Sequence, residues 1–146
     1  MTIDELHEVW GLDATIDPSN LSHEALRTPN LHSKYLRLLA ETKLTHRKIE
    51  SDLLRLKTKK SRYYRGEMGK EELAENQWQQ YQGAKPLKTE LENILEADEA
   101  VIRMRERLEY YRTFVVCIES IMKELNSRHF AIRASIDYQK MQNGVN

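Results

Sequence analysis

PNLHSKYLRLLAETKLTHRKIESDLLRLKTKKSRYYRG, residues 29–66, decides how this chain folds. Tyr35, Thr42, Ile49, Leu56 and Tyr63 recur in it every seven positions, and Leu31, Leu38 and Leu53 thicken the stripe. Residues three and four apart lie above one another on a helix, so this pattern predicts one long α-helix with an apolar face. Pro29 suits its first turn, where a missing N–H costs nothing, and Gly66 ends it. About 36 helical residues extend roughly 54 Å, whereas a compact globule of this chain length is only about 40 Å across. A helix longer than its globule finds part of its partner surface in another copy.

The rest of the sequence repeats the theme. Residues 1–28 form an acidic segment of short helices. Thr2 and Glu5 stand at capping-box spacing, Gly11 is a terminator, and Ser19 or Asn20 caps a second short helix through Leu26. Residues 70–82 read as a short helix broken by Gly83-Ala84-Lys85-Pro86. Residues 87–141 read as C-terminal helices that supply core, with Asn126-Ser127 interrupting them and Gln142–Asn146 as a frayed tail. Phe114-Val115-Val116-Cys117-Ile118 is apolar all round and predicts the deepest core, with a minor strand reading from its β-branched content. The expected fold is a single all-α domain of two long helices plus short flanking helices.

Composition agrees. Five Gly and three Pro are few, and 40% hydrophobic beside 32% charged residues suits long surface helices. A single cysteine, Cys117, excludes an internal disulfide and suggests a reducing compartment. No apolar run approaches the roughly 18–20 residues of a membrane span, and Met1–Leu26 has no Lys or Arg to begin a secretory signal. The expected location is the cytoplasm.

Charge is segregated although the chain is neutral. Met1–Leu26 holds six acids, and residues 71–109 hold ten acids against five bases. Lys43–Arg65 holds nine Lys/Arg against two acids, and its end interleaves charge with a tyrosine pair: Leu56-Lys57-Thr58-Lys59-Lys60-Ser61-Arg62-Tyr63-Tyr64-Arg65-Gly66. Cations attract phosphates and release their counterions, and tyrosine faces stack on unpaired bases of any sequence. Arg55, Lys59 and Arg62 share one helix face, and Lys57, Lys60 and Tyr64 an adjacent one. The expected single-strand nucleic-acid site is Lys57, Thr58, Lys59, Lys60, Arg62, Tyr63, Tyr64 and Arg65. Tyr63 continues the apolar stripe, so core packing competes with stacking there; Tyr64 lies off it.

Catalysis finds little support. The five histidines have no i, i+4 pair for a helical metal site, and there is no Gly-rich phosphate loop. The clusters at Glu71, Glu72, Glu75 and at Glu96, Asp98, Glu99 read as solvated helix faces. Cys117, among Val and Ile, reads as a small buried hydrophobe. The expectation is no enzyme, no metal and no cofactor.

With these residues the chain resembles the UvsY-type recombination mediators of T-even-like bacteriophages. Ile16-Asp17, Ser33-Lys34-Tyr35 and Ile49-Glu50 correspond to the family's N-terminal half; Ser127-Arg128 and Phe130-Ala131-Ile132 correspond to its C-terminal segment. Tyr63-Tyr64 and Gly66 fit a Lys-x-Arg-x-x-Tyr-Tyr-x-Gly signature, in which this chain has Thr58 for the Lys, Lys60 for the Arg, and Arg62 where the family is acidic. The resemblance implies a ring-like homo-oligomer of the hexamer or heptamer class, assembled largely through the C-terminal region. It also implies three further partners or actions: single-stranded DNA binding, loosening of the phage single-strand-binding protein, and loading of a RecA-like phage recombinase in the host cell cytoplasm. Trp10 and Trp78 are candidate recombinase contacts. The rival readings are a coiled-coil scaffold whose basic face docks an acidic protein, and a duplex-DNA regulator, for which no helix-turn-helix signal exists.

Overall fold

The computed structural model describes residues 1–144; Val145 and Asn146, the end of the expected frayed tail, lie outside the described residues. The fold is all-α, with no strand among the described residues. Its elements are α1 (Ile3–Asp13), α2 (Leu21–Tyr64), α3 (Lys70–Glu75), α4 (Lys88–Ala97) and α5 (Glu99–Gln142). The two long helices have 44 residues each. Residues read as a single domain divide into two compact units: Met1–Leu44 with the chain from Arg112 onward, and Thr45–Tyr111.

The first unit is built on α1, the beginning of α2 and the end of α5. Leu6, Leu31, Tyr35, Phe114, Ile118, Ile121 and Leu125 form its core, with Trp10 and Leu38 against it. The Trp10 and Tyr35 rings meet edge to face at 5.4 Å and 87°, a favoured aromatic geometry. Thr2 and Glu5 make the expected capping box, but α1 runs through Gly11 to Asp13. Its end is pinned by side chains: Tyr35 Oη and Lys34 Nζ donate to Asp13 Oδ2 at 2.8 and 2.6 Å. Of the apolar run at 114–118, Phe114 and Ile118 are buried and Val116 is exposed, because residues four apart share one helix face and the residue midway between them points away from it.

Two further expected helix breaks are absent. The expected short helix ending at Leu26 and the main helix opening at Pro29 are one element, and Pro29 lies inside α2. The reason is tertiary. Arg128 Nη2 donates to Glu24 Oε2 at 2.9 Å and to Glu24 O at 3.3 Å, and Arg128 Nε donates to Thr28 Oγ1 at 3.1 Å. This holds the turn before the proline in helical form. Likewise α5 continues through Asn126-Ser127, because Ile121, Leu125, Arg128 and Ile132 stay buried at helical spacing on either side.

Asp13 and Glu24 carry depressed pKa values. Burial works to raise both, but hydrogen bonds from Lys34 and Tyr35 to Asp13, and from Arg128 to Glu24 beside Arg27, outweigh it. A carboxylate with a lowered folded pKa adds stability that is fully present above its ordinary value and lost as pH falls through the folded one. Melting temperature followed by circular dichroism is therefore expected to stay level above the ordinary values of 3.8 and 4.5 and to fall steadily below them.

Candidate nucleic-acid interface

The basic strip lies in the second unit, on the last turns of α2. Gly66 ends that helix at φ 69°, a left-handed conformation open to glycine. Glu67 N donates to Arg62 O at 3.0 Å and Gly66 N to Tyr63 O at 3.1 Å, the double bond of a Schellman stop. The same device ends α3 at a residue sequence reading passes over. Gln77 has φ 58°, with Gln77 N donating to Ala74 O at 3.1 Å and Trp78 N to Leu73 O at 2.9 Å. The expected helix over 70–82 therefore stops at Glu75, and the turn sends Trp78 back toward α2.

An aromatic cluster results. Tyr63 meets Tyr64 at 5.2 Å, Trp78 at 5.4 Å and Tyr81 at 5.9 Å, and Tyr64 meets Tyr81 edge to face at 5.0 Å. Lys60 lies inside it. Its Nζ sits 4.2 Å from the centre of the Trp78 ring, within cation–π range, and 3.1 Å from Asp98 Oδ2, with the lysine side chain 11% and the aspartate 4% exposed. Tyr64 Oη donates to the same Asp98 oxygen at 2.7 Å, and Tyr63 Oη donates to Gln79 O at 2.6 Å. Asp98 is the single residue between α4 and α5. Its Oδ1 accepts from Ala100 N at 2.9 Å and Val101 N at 3.1 Å, capping α5. Burial would raise the Asp98 carboxyl, but Tyr64, the Val101 amide and Lys60 together hold it below the usual carboxylate range. Burial and this carboxylate push the Tyr64 hydroxyl above its ordinary value.

The remaining predicted site residues face outward to different degrees. Lys59 and Thr58 are exposed; Lys59 Nζ donates to Asn76 Oδ1 at 3.1 Å and Thr58 Oγ1 to Leu54 O of its own helix at 3.0 Å. Lys57 pairs with Glu96 at 3.1 Å, Arg62 with Glu72 at 3.0 Å and Arg65 with Glu67 at 3.5 Å. Lys57, Lys59 and Arg62 thus stand along a rim, whereas Lys60, Tyr63 and Tyr64 belong to the packed support beneath it. Arg55, absent from the predicted set although on the Lys59–Arg62 face, is 78% exposed. With Leu54, Thr58, Lys59 and Arg62 it lines a shallow depression of about 410 Å³. Leu54 is also exposed, so this face offers an apolar floor under a cationic edge. Its signal in the sequence is the i, i+4, i+7 spacing of Arg55, Lys59 and Arg62. Among the described residues no group of three or more His, Cys, Asp or Glu could hold a metal, and no helix is long and apolar enough to cross a membrane.

Known proteins share this chain's pattern. The family described as "Recombination, repair and ssDNA binding protein UvsY" matches residues 9–145. The recombination protein uvsY of Enterobacteria phage T4 is 24% identical over 151 residues, spanning 99% of both chains. Two crystal forms of the bacteriophage T4 recombination mediator protein UvsY superpose with TM-scores of 0.80 and 0.82. They are 23% and 24% identical to this chain; the first covers 97% of it and 99% of the crystallised one, the second 98% of each. The family match covers nearly the whole sequence, and the likeness of fold agrees with it: the chain belongs to the UvsY family of recombination, repair and single-stranded DNA-binding proteins.

Proposed function

We propose that the protein is a non-enzymatic recombination mediator. It binds single-stranded DNA without sequence preference and promotes loading of a RecA-like phage recombinase by displacing the phage single-strand-binding protein, in the host cell cytoplasm and without a cofactor. The observation that carries this reading is the outward row Arg55, Lys59, Arg62 beside the Leu54 depression, in a chain of this family. Lys57, Lys59, Arg62 and Arg65, with Arg55, contact phosphates. Leu54 and the Thr58 methyl offer sequence-blind apolar contact. Lys60, Tyr63 and Tyr64 hold the row in shape. A ring-like homo-oligomer of the hexamer or heptamer class repeats the row, so avidity supplies affinity while each contact stays weak enough to hand the strand on. Exposed Phe130, Tyr138 and Met141 on α5 support assembly through the C-terminal region.

A scaffold docking an acidic protein is the second reading. It is favoured by the carboxylate partners that Lys57, Lys60, Arg62 and Arg65 already have. Fluorescence anisotropy of labelled oligo-dT at several salt concentrations, with a duplex control, separates the two. The mediator reading expects preferential single-strand binding with a log–log salt slope of about −3 to −4, for four to six phosphates. The double variant Lys59→Ala/Arg62→Ala is expected to bind about tenfold more weakly, with a slope flatter by about 1.4 and unchanged helicity. No binding at low salt by the folded oligomer would give the lead to the scaffold.

A further inference from the structure

The forked guanidinium of Arg62 is shaped to take two oxygens of one anion, the geometry by which arginine recognises phosphate and carboxylate alike. Here that fork is filled by Glu72. Arg62 Nη1 and Nη2 each donate to Glu72 Oε1 at 3.2 Å, and Nη2 lies 3.0 Å from Oε2. The pair is 40% and 41% exposed, so its net hold is small. Glu72 comes from α3, a helix of six residues with no buried residue and no side-chain cap. Lys59, the next cation along the row, is drawn to the same segment through Asn76 Oδ1 at 3.1 Å.

Resting on the single-strand reading above, we infer that Glu72 is an internal phosphate mimic: it occupies the Arg62 fork in the free protein, must leave it when a strand binds, and thereby sets the affinity of the row. A carboxylate offered by a weakly fixed element lowers the anion's binding energy by the strength of the contact it replaces. The number of counterions released is unchanged, because they leave the strand and Arg62 neutralises the same phosphate once Glu72 has moved away. The exchange leaves the protein with a ready substitute for phosphate, which eases departure of the strand.

The test is oligo-dT anisotropy against salt with Glu72→Gln in the full chain. This variant keeps the size of the side chain and removes its charge. The expected result is about two- to fivefold tighter binding, the range for an exposed ion pair, with the salt slope unchanged, because the same phosphates are neutralised. Glu71→Gln and Glu75→Gln make the same change in net charge on the same helix, at residues that make no ion pair among the described residues; a smaller effect is expected. The Glu72→Gln gain is also expected to vanish in an Arg62→Gln background. Equal gains from all three substitutions, or none from Glu72→Gln while the unaltered protein binds oligo-dT, overturn the mimic and leave the single-strand reading standing. Failure of the unaltered protein to bind at all overturns both.

Discussion

Arg128→Ala is expected to cost about 3–5 kcal/mol of stability, the range for removing one partner of a buried ion pair. Arg128 and Glu24 are 4% and 5% exposed and meet at 2.9 Å. The substitution leaves a carboxylate with one remaining cation, Arg27 at 3.1 Å. It also takes a donor from the Glu24 carbonyl and from Thr28 Oγ1, in the turn that leads into Pro29. Proline in a helix interior already lacks one bond and crowds the carbonyl four residues before it. Loss of helix is therefore expected to concentrate in Leu21–Thr28. Chemical denaturation gives the size of the effect, and amide exchange of these two turns gives its place. The double variant Arg128→Met/Glu24→Gln is expected to recover part of the loss, since it removes the stranded charge. A single-variant loss below about 1 kcal/mol would show that the pair is dispensable.

Asp98→Ala is expected to be nearly as damaging, at about 3–4 kcal/mol. One carboxylate serves three purposes there: it caps α5, accepts the Tyr64 hydroxyl and neutralises Lys60 against the Trp78 ring. Without it, a largely buried ammonium and a phenol lose their partner together. Asp98→Asn, which keeps an oxygen for the cap, is expected to cost less. Near-ultraviolet circular dichroism should register both, because four aromatic rings meet at this point. Single-strand affinity should fall as well, since Lys59 and Arg62 ride on the turns that Lys60, Tyr63 and Tyr64 anchor. A variant with unchanged denaturation midpoint and unchanged aromatic signal would remove Asp98 from the support of the row.

The heptad stripe is the part of the fold most legible in the sequence: Tyr35, Thr42 and Ile49 are buried as their spacing requires, and Gly66 stops the helix where it stands. Pro29 inside α2 and Gln77 at the end of α3 are not legible, for a shared reason. Each breaks a local preference, and each is compensated by a partner that periodicity does not reveal, Arg128 for the first and the Trp78–Lys60 contact for the second. The division of the basic segment into rim and support is hidden in the same way. Composition places Lys57, Lys59, Lys60 and Arg62 together as cations. Only the meeting of Tyr64 with Asp98, 34 residues further on, separates the lysine that is spent on structure from those that stand outside. Arg55 was visible through its spacing, and its exposure marks it as part of the same edge.

The contact between Arg128 and Glu24 spans 104 residues of chain. On the ribosome, the opening turns of α2 emerge long before their arginine has been made, and until then Glu24 has no reason to leave water. The N-terminal end of α2 is therefore expected to settle only after the chain has passed residue 128, although it is synthesised first. A nascent chain halted before residue 128 should present the Leu21–Thr28 segment open to protease, and release of the finished chain should close it.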